Sequence, residues 1–221
     1  MRWKLAAMAA PVLVLGCNEV YSDHPWFTAA DAAGAPRLRD GLWAVMETPD
    51  CQLDQSQPAE KWPDCAEAMV VEGDRLLSMD WTTDSDSGLR KLDGVDVAET
   101  VLAAGNPRVL QFHALGKEGA EGGAKADKLW FYVGVRPTAQ DAAGRITGFS
   151  RWLVQCGPLA PGAGTSDITR RPFRGIAVEG KDCTATSAQA LRNAAARSET
   201  LPGKSGRPDT PPARWIREGR N

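Results

Sequence analysis

The chain has 221 residues and a nearly balanced charge, with 26 lysine and arginine residues against 28 aspartate and glutamate residues. Hydrophobic residues make up 43% of it, which is enough to build one folded domain of ordinary size. Seven of the basic residues but only three of the acidic residues follow residue 185, so the body is acidic. General nucleic-acid binding needs a positive surface, and nucleic acid is therefore not an expected partner.

The first 16 residues predict a signal peptide, because Arg2 and Lys4 precede a short apolar run. That run has about 12 residues, too few to span a bilayer. It ends at Val14-Leu15-Gly16-Cys17, which resembles the lipobox of bacterial lipoproteins. The resemblance implies that the chain is cut before Cys17, and that this cysteine carries acyl groups such as palmitate. We therefore expect a lipoprotein of the bacterial cell envelope, held to a membrane through Cys17.

The residue after the lipidated cysteine indicates which membrane is expected. In lipoproteins of this kind, aspartate at that position favours retention in the inner membrane. Here the residue is Asn18, so we expect the outer membrane, with the protein facing the periplasm. Residues 17–37 contain many alanine, glycine and proline residues and predict a lipid-anchored tether.

Residues 38–200 predict a β domain. Alternating or apolar runs predict strands at residues 40–46, 66–71, 75–81, 95–103, 108–115, 128–135, 146–155 and 176–178. Turn residues predict hairpins at 72–74 and 141–144, and Thr186 or Ser187 can cap a helix over 186–197. The fold class is therefore mainly β, a single antiparallel meander barrel or bent sheet of about eight strands with one C-terminal helix. Residues 201–221, rich in proline, glycine and arginine, predict a disordered basic tail.

Four cysteines follow Cys17, and an even number in an exported protein indicates disulfide bonds. Four cysteines allow three pairings. We favour Cys51–Cys65 and Cys156–Cys183, because each of these closes a short local loop. No C-x-x-C spacing is present, which argues against a zinc site.

The sequence contains no convincing catalytic group. Its two histidines are His24, in the predicted tether, and His113, in the middle of a predicted strand. The carboxylates of Asp80, Asp84 and Asp86 lie close in sequence and are a conceivable calcium site, but the pattern departs from an EF-hand loop. We therefore expect no catalytic residue, no metal and no cofactor. An enzyme of unrecognised type, acting on an envelope polymer, remains an alternative.

Tryptophan is abundant, with eight residues in the chain. Such rings either fill a core or line an apolar pocket. For the tryptophans on predicted strands, which include Trp130 and Trp152, a core role is favoured. A carrier would instead require a pocket lined by the inward faces of the strands around Phe112, Trp130 and Trp152, and Trp62 lies outside the predicted strands. The candidate ligand contacts are therefore Trp62, Phe112, Trp130 and Trp152.

The first predicted strand begins with Gly41-Leu42-Trp43, which resembles the G-x-W motif of the lipocalins. Lipocalins are eight-stranded meander barrels with a late helix, and some bacterial members are lipoproteins. The resemblance implies a carrier of a small apolar ligand. Our prediction is a membrane-anchored envelope lipoprotein that acts as a non-enzymatic binding or assembly module, with envelope proteins or an apolar ligand as partners. A lipocalin-like carrier is the alternative.

Overall fold

A computed structural model describes residues 18–84, 90–114, 129–164, 167–201 and 211–219. The molecule is mainly β, and eight antiparallel strands form a closed barrel with a helix near the C-terminal end, which confirms the predicted fold class. The predicted signal peptide and Cys17 lie outside the described residues. Within the described part of the chain, no helix is long and apolar enough to cross a membrane.

The described part of the chain contains eleven strands, two α-helices and one 3₁₀ turn. The strands are β1 (Tyr21–Ser22), β2 (Gly41–Met46), β3 (Ala66–Glu72), β4 (Arg75–Thr83), β5 (Arg90–Ala103), β6 (Arg108–Ala114), β7 (Trp130–Gln140), β8 (Ile146–Leu153), β9 (Ile176–Glu179), β10 (Asp182–Ala185) and β11 (Ala213–Arg217). The helices are α1 (Ala29–Ala32), α2 (Ala188–Ser198) and a 3₁₀ turn (Ala59–Lys61).

The barrel is a meander closed by one strand from the C-terminal end of the chain. Its strands lie in the order β7-β6-β5-β4-β3-β2-β11-β8, and β8 pairs back with β7 to complete the circle. The predicted hairpins are present, with glycines in the left-handed region at Gly73 (φ 64°) and Gly144 (φ 77°). β1 adds to β7, and β9 pairs with β10 outside the barrel.

Both faces of the barrel wall carry apolar side chains. The inner face forms one buried cluster around Trp43, Leu110 and Phe149. On the outer face, a second cluster lies beneath α2, where Leu191 is fully buried. A third lies beneath residues 47–65, where Trp62 covers the outer side of β3. The Ser187 hydroxyl caps α2 by accepting from the amide of Ala190 (3.1 Å), as the sequence predicts.

The structure corrects the predicted tether. Residues 18–36 lie against the body, where the side chains of Val20 and Phe27 are each 1% exposed. The reason is Gln111, a fully buried residue of β6 whose amide oxygen accepts from the backbone of Trp26 and Phe27 (2.8 and 2.9 Å). A buried amide needs such partners, so this pairing fixes the segment to the outer face.

The structure also corrects the predicted disordered tail. Residues 213–217 form β11, which lies between β2 and β8 and completes the barrel. The alternation of apolar and polar residues in β11 covers too few positions to indicate a strand, and the surrounding sequence is rich in proline, glycine and arginine. Ala213 is nevertheless fully buried, because it faces Phe149 on the inner side of the wall.

Both predicted disulfide pairings are confirmed. Cys51 is bonded to Cys65, with Cα atoms 5.8 Å apart, and closes the segment that covers the outer face of β2 and β3. Cys156 is bonded to Cys183, with Cα atoms 6.1 Å apart, and joins the chain beyond β8 to β10. Each bond therefore ties a covering segment to the barrel.

We predict that Gly41→Ala destabilises the barrel at the point where β11 closes it. Gly41 has φ +122°, and an added Cβ would lie 2.2 Å from the carbonyl oxygen of Arg217. We expect the free energy of unfolding to fall by about 2 kcal/mol or more in urea denaturation. The matched control is Gly73→Ala, which has φ +64° but nothing within 4 Å of the added atom, and should cost about 1 kcal/mol. Equal losses in both variants would show that the close approach of β11 is unimportant.

Candidate ligand-binding site

One end of the barrel is closed by the segment that precedes β2. The indole N–H of Trp43 donates to the carbonyl of Arg39, and that of Trp215 donates to the carbonyl of Asp40, both at 2.9 Å. The Arg39 guanidinium lies 3.6 Å from the centre of the Trp215 ring and pairs with Glu218 at 3.1 Å. These contacts seal this end of the interior.

The interior next to this closed end is filled by apolar side chains. Eight of them are at most 6% exposed, and the partly exposed Leu76 and Leu102 pack against these eight, so most of this half of the barrel is a packed core. The eight residues are Trp43, Val45, Val71, Leu110, Val135, Ile146, Phe149 and Ala213.

The interior toward the opposite end is not filled in the same way. The strand register places Phe112 and Phe131 opposite each other on the inner face, with ring centroids 5.6 Å apart. Most of the inward-facing side chains around them are partly exposed, and Ser78 is exposed. An eight-stranded barrel is just wide enough to be filled by side chains or to hold one small ligand. We term this open half the cup; its wall is formed by Glu67, Met69, Ser78, Phe112, Phe131, Val133, Arg151 and Leu153.

Among the described side chains, two charged ones face the cup, Arg151 of β8 and Glu67 of β3. Burial lowers the pKa of Arg151, while the carboxylates of Glu67 and Glu47 act in the opposite direction. Burial also raises the pKa of Glu67, against the attraction of Arg151. The Nη1 atom of Arg151 is buried, and no hydrogen-bond acceptor contacts it among the described residues.

Phe112 is the one predicted ligand contact that the structure places in the cup. Trp130 precedes the inward-facing Phe131 in β7 and therefore faces outward. There it is opposite His113, and the two rings lie 4.8 Å apart. Trp152 also faces outward, and its indole N–H donates to the carbonyl of Ala195 in α2 at 2.8 Å. As possible ligand contacts of an interior pocket these two tryptophans were therefore wrong. The core role that the sequence favours for strand tryptophans holds for Trp152, which is 5% exposed.

Trp62 does not reach the interior either. It is 3% exposed beneath the disulfide-closed segment, and its indole N–H donates to the carbonyl of Gln57 at 3.1 Å. Its ring packs on the outer face of the barrel wall, so it is a core residue of the covering segment.

Sequence reasoning missed the two charged residues of the cup. Arg151 stands between Ser150 and Trp152 within one of the strongest predicted strands, and Glu67 stands between two alanines of β3. A single charged side chain within an otherwise apolar strand was the available signal. That signal does not show whether the charge faces the interior, since both faces of this wall are covered.

The two histidines lie outside the barrel. The His24 ring contacts the carboxylate of Asp23 at 2.7 Å, while the Ser22 hydroxyl bonds to the hydroxyl of Tyr132 and to the backbone carbonyl of His24. His113 stacks on Trp130. Neither imidazole has a hydroxyl partner within the described residues.

Of the predicted carboxylate cluster, Asp86 lies outside the described residues. Among the residues that are described, no group of three or more histidine, cysteine, aspartate or glutamate side chains is arranged to hold a metal ion. A separate cleft of about 350 Å³ lies on the outer surface near the closed end, between Asp40, Arg145 and Glu218. We favour the cup as the binding site because it contains the unpartnered guanidinium nitrogen.

Comparison with known proteins gave no match, whether to a family model, to a curated protein or to a solved structure.

We predict that Glu67→Gln stabilises the protein at neutral pH. Because burial raises the pKa of Glu67 in the folded state, the ionised carboxylate is disfavoured there relative to the unfolded chain. Stability is therefore fully present below the ordinary glutamate pKa of 4.5 and is lost as the pH rises through the raised pKa. Glutamine does not ionise, so the variant does not lose this stability. Its Tm should be higher than that of the native protein at pH 7, and the difference should disappear below pH 4.5.

The control for this prediction is Glu99→Gln, which removes an exposed carboxylate from the outer face of β5. It reports the effect of changing the net charge alone. A pH-independent difference between Glu67→Gln and the native protein would contradict the assigned burial of Glu67.

Proposed function

We propose that this protein is a lipoprotein of the bacterial envelope whose barrel binds a small, largely apolar ligand in the cup. The observation that supports the proposal most directly is the contrast between the two halves of the barrel interior. The core cluster near the closed end consists of side chains at most 6% exposed, with Leu76 and Leu102 beside it partly exposed, whereas toward the other end Phe112, Val133 and Leu153 are all partly exposed although they face inward. Apolar walls with a few polar groups are typical of sites for small ligands.

A carrier of a small ligand is one form of the binding module that the sequence predicts. The cup offers an apolar wall without a histidine, and the two histidines lie on the outer face without a hydroxyl partner among the described residues. A carrier therefore accounts for the open interior more directly than an enzyme or an assembly module does. The G-x-W resemblance at Gly41-Leu42-Trp43 implies the same class of function.

Asn18 determines how close the folded body lies to the proposed anchor at Cys17. Its side chain is 4% exposed, donates to the carbonyl of Gly157 at 2.9 Å and accepts from the amide of Thr169 at 3.0 Å. The folded body therefore begins immediately after Cys17. One residue spans about 3.5 Å, so acyl chains on Cys17 would hold the barrel against the membrane surface and not at the end of a tether.

We predict that Cys17 is the lipidated N-terminus of the mature protein. Mass spectrometry of protein extracted from membranes should show a chain that begins at Cys17 and carries acyl groups, with the other four cysteines oxidised. Each acyl CH₂ buried in the bilayer contributes about 0.8 kcal/mol, so Cys17→Ala should move the protein out of the membrane fraction. An unacylated native chain that begins elsewhere would contradict the anchor but not the binding site.

We predict that a bulky side chain in the cup blocks binding. Ser78→Trp places an indole on the inner face of β4, next to Met69 in the register, and should weaken decanol binding by about tenfold or more. The matched control is Arg75→Trp, which adds the same indole to the same strand on its exposed outer face. Isothermal titration with decanol measures both, after thermal melts have shown that each variant is folded. Equal affinities in the two variants would place any binding outside the cup.

A further inference from the structure

Arg151 lies at the bottom of the cup. It is directly opposite Val135 in the register between β7 and β8, and it follows Phe149 by two residues on the same face of β8. Both of these neighbours are buried, at 1% and 3% exposure, and belong to the packed half of the interior. The backbone of Arg151 therefore lies where the packed core ends and the cup begins.

The guanidinium of Arg151 has a buried nitrogen that lacks a hydrogen-bond partner among the described residues. Its Nη1 atom is shielded from solvent and has no acceptor, and no hydrogen bond or ion pair of the described residues involves this side chain. Arginine carries five N–H donors in a planar fork and cannot lose its charge in a protein. Because a buried charged donor without a partner is destabilising, buried charges are normally paired. Within the described residues, Nη1 of Arg151 is an exception to this rule.

The nearby carboxylates do not supply the missing partner. Glu67 and Glu47 both act on Arg151 electrostatically, but neither forms an ion pair with it within the described part of the chain. The other cation that acts on Glu67 is Arg90, and its guanidinium donates to backbone carbonyls, including that of Ala66 at 3.1 Å. Among its described side chains, the cup therefore holds one cation without an ion pair, Arg151, and one carboxylate, Glu67.

We propose that the ligand of the cup is an amphiphile with a compact oxyanion, a carboxylate or a phosphate, which Arg151 binds while the apolar chain contacts Phe112, Phe131 and Leu153. This inference rests on the proposed function, because it names the chemical class that the cup selects. Both oxyanions present two oxygens that match the guanidinium fork, and such charge-assisted pairs are stronger than neutral hydrogen bonds. The apolar wall accommodates the remainder of the ligand by excluding water from it.

Glu67 has the opposite effect on an anionic ligand. Its carboxylate shares the cup with the bound oxyanion, so its negative charge repels that oxyanion and offsets part of the attraction of Arg151. Replacing Glu67 by glutamine should therefore strengthen the binding of an anion and leave that of a neutral chain of the same length unchanged. A cationic ligand would show the reverse dependence on both residues.

The test compares four probes of equal chain length on the full-length protein in mild detergent: decanoate, decyl phosphate, decanol and decyltrimethylammonium. Isothermal titration of the native protein should give at least about tenfold tighter binding of one or both anions than of decanol. Arg151→Met should abolish that preference while retaining decanol binding, and Arg151→Lys should retain part of it. Glu67→Gln should increase the affinity for the preferred anion. Whichever anion is preferred identifies the headgroup as carboxylate or phosphate.

Two outcomes separate failure of this inference from failure of the proposed function. Equal binding of decanol and both anions by the native protein, or an anion preference that persists in Arg151→Met, would overturn the role of Arg151 while leaving an apolar binding site in place. If none of the four probes binds, the proposed function itself fails. Thermal melts of both Arg151 variants guard against misfolding, and Arg151→Lys keeps the test valid if Arg151→Met is unstable.

Discussion

The closure of the sheet by β11 is the constraint on which the rest of the structure depends. Arg214 pairs with Ala44 of β2 on one side and with Gly148 of β8 on the other, so this one short strand joins the two edges of the meander. Without it both edges would expose unpaired backbone groups, which favour aggregation. The interior exists only when the sheet is closed, because an open sheet would present Phe112 and Arg151 on a solvent-exposed face. The close contact of β11 with Gly41 is therefore as important to the cup as the residues that line it.

Burial on both faces of the wall follows from segments that wrap around the barrel. β2 is buried at all six of its positions, since Trp43 and Val45 face the interior while Leu42 and Ala44 lie beneath residues 47–65. α2 covers β7 and β8 in the same manner. Disulfide bonds tie residues 47–65 and the chain before α2, and such a bond stabilises by restricting the unfolded chain, typically by about 3 kcal/mol. A covalent tie suits these segments because they contribute few backbone hydrogen bonds to the barrel.

The same two-sided burial explains what could be predicted from the sequence. Strands such as β7 and β8, the hairpins at Gly73 and Gly144, α2 and both disulfide pairings were predictable, because they depend on local patterns. The sequence could not show which face of each strand points into the barrel. Trp130 and Trp152 were therefore named as possible contacts of an interior ligand, although they lie on the outer face, in or next to the cluster beneath α2. β1 and β11 were missed because each is too short for alternation to be visible, and their positions depend on distant partners such as Phe131 and Trp43. Of the cup, Phe112 was predicted and Arg151 was not.

Arg151 makes the cup selective through its surroundings rather than through its charge alone. An apolar side chain at this position would avoid the loss of hydration, and buried charges can often be replaced by apolar residues without loss of stability. The attraction between a guanidinium and an oxyanion is weak in water but much stronger where the walls are apolar and water is excluded. The packed core next to Arg151 and the apolar side chains of Val133 and Leu153 further along the wall provide that environment. A single cation held there can distinguish an anionic amphiphile from a neutral one, whereas an arginine on the outer surface would be screened by solvent and salt.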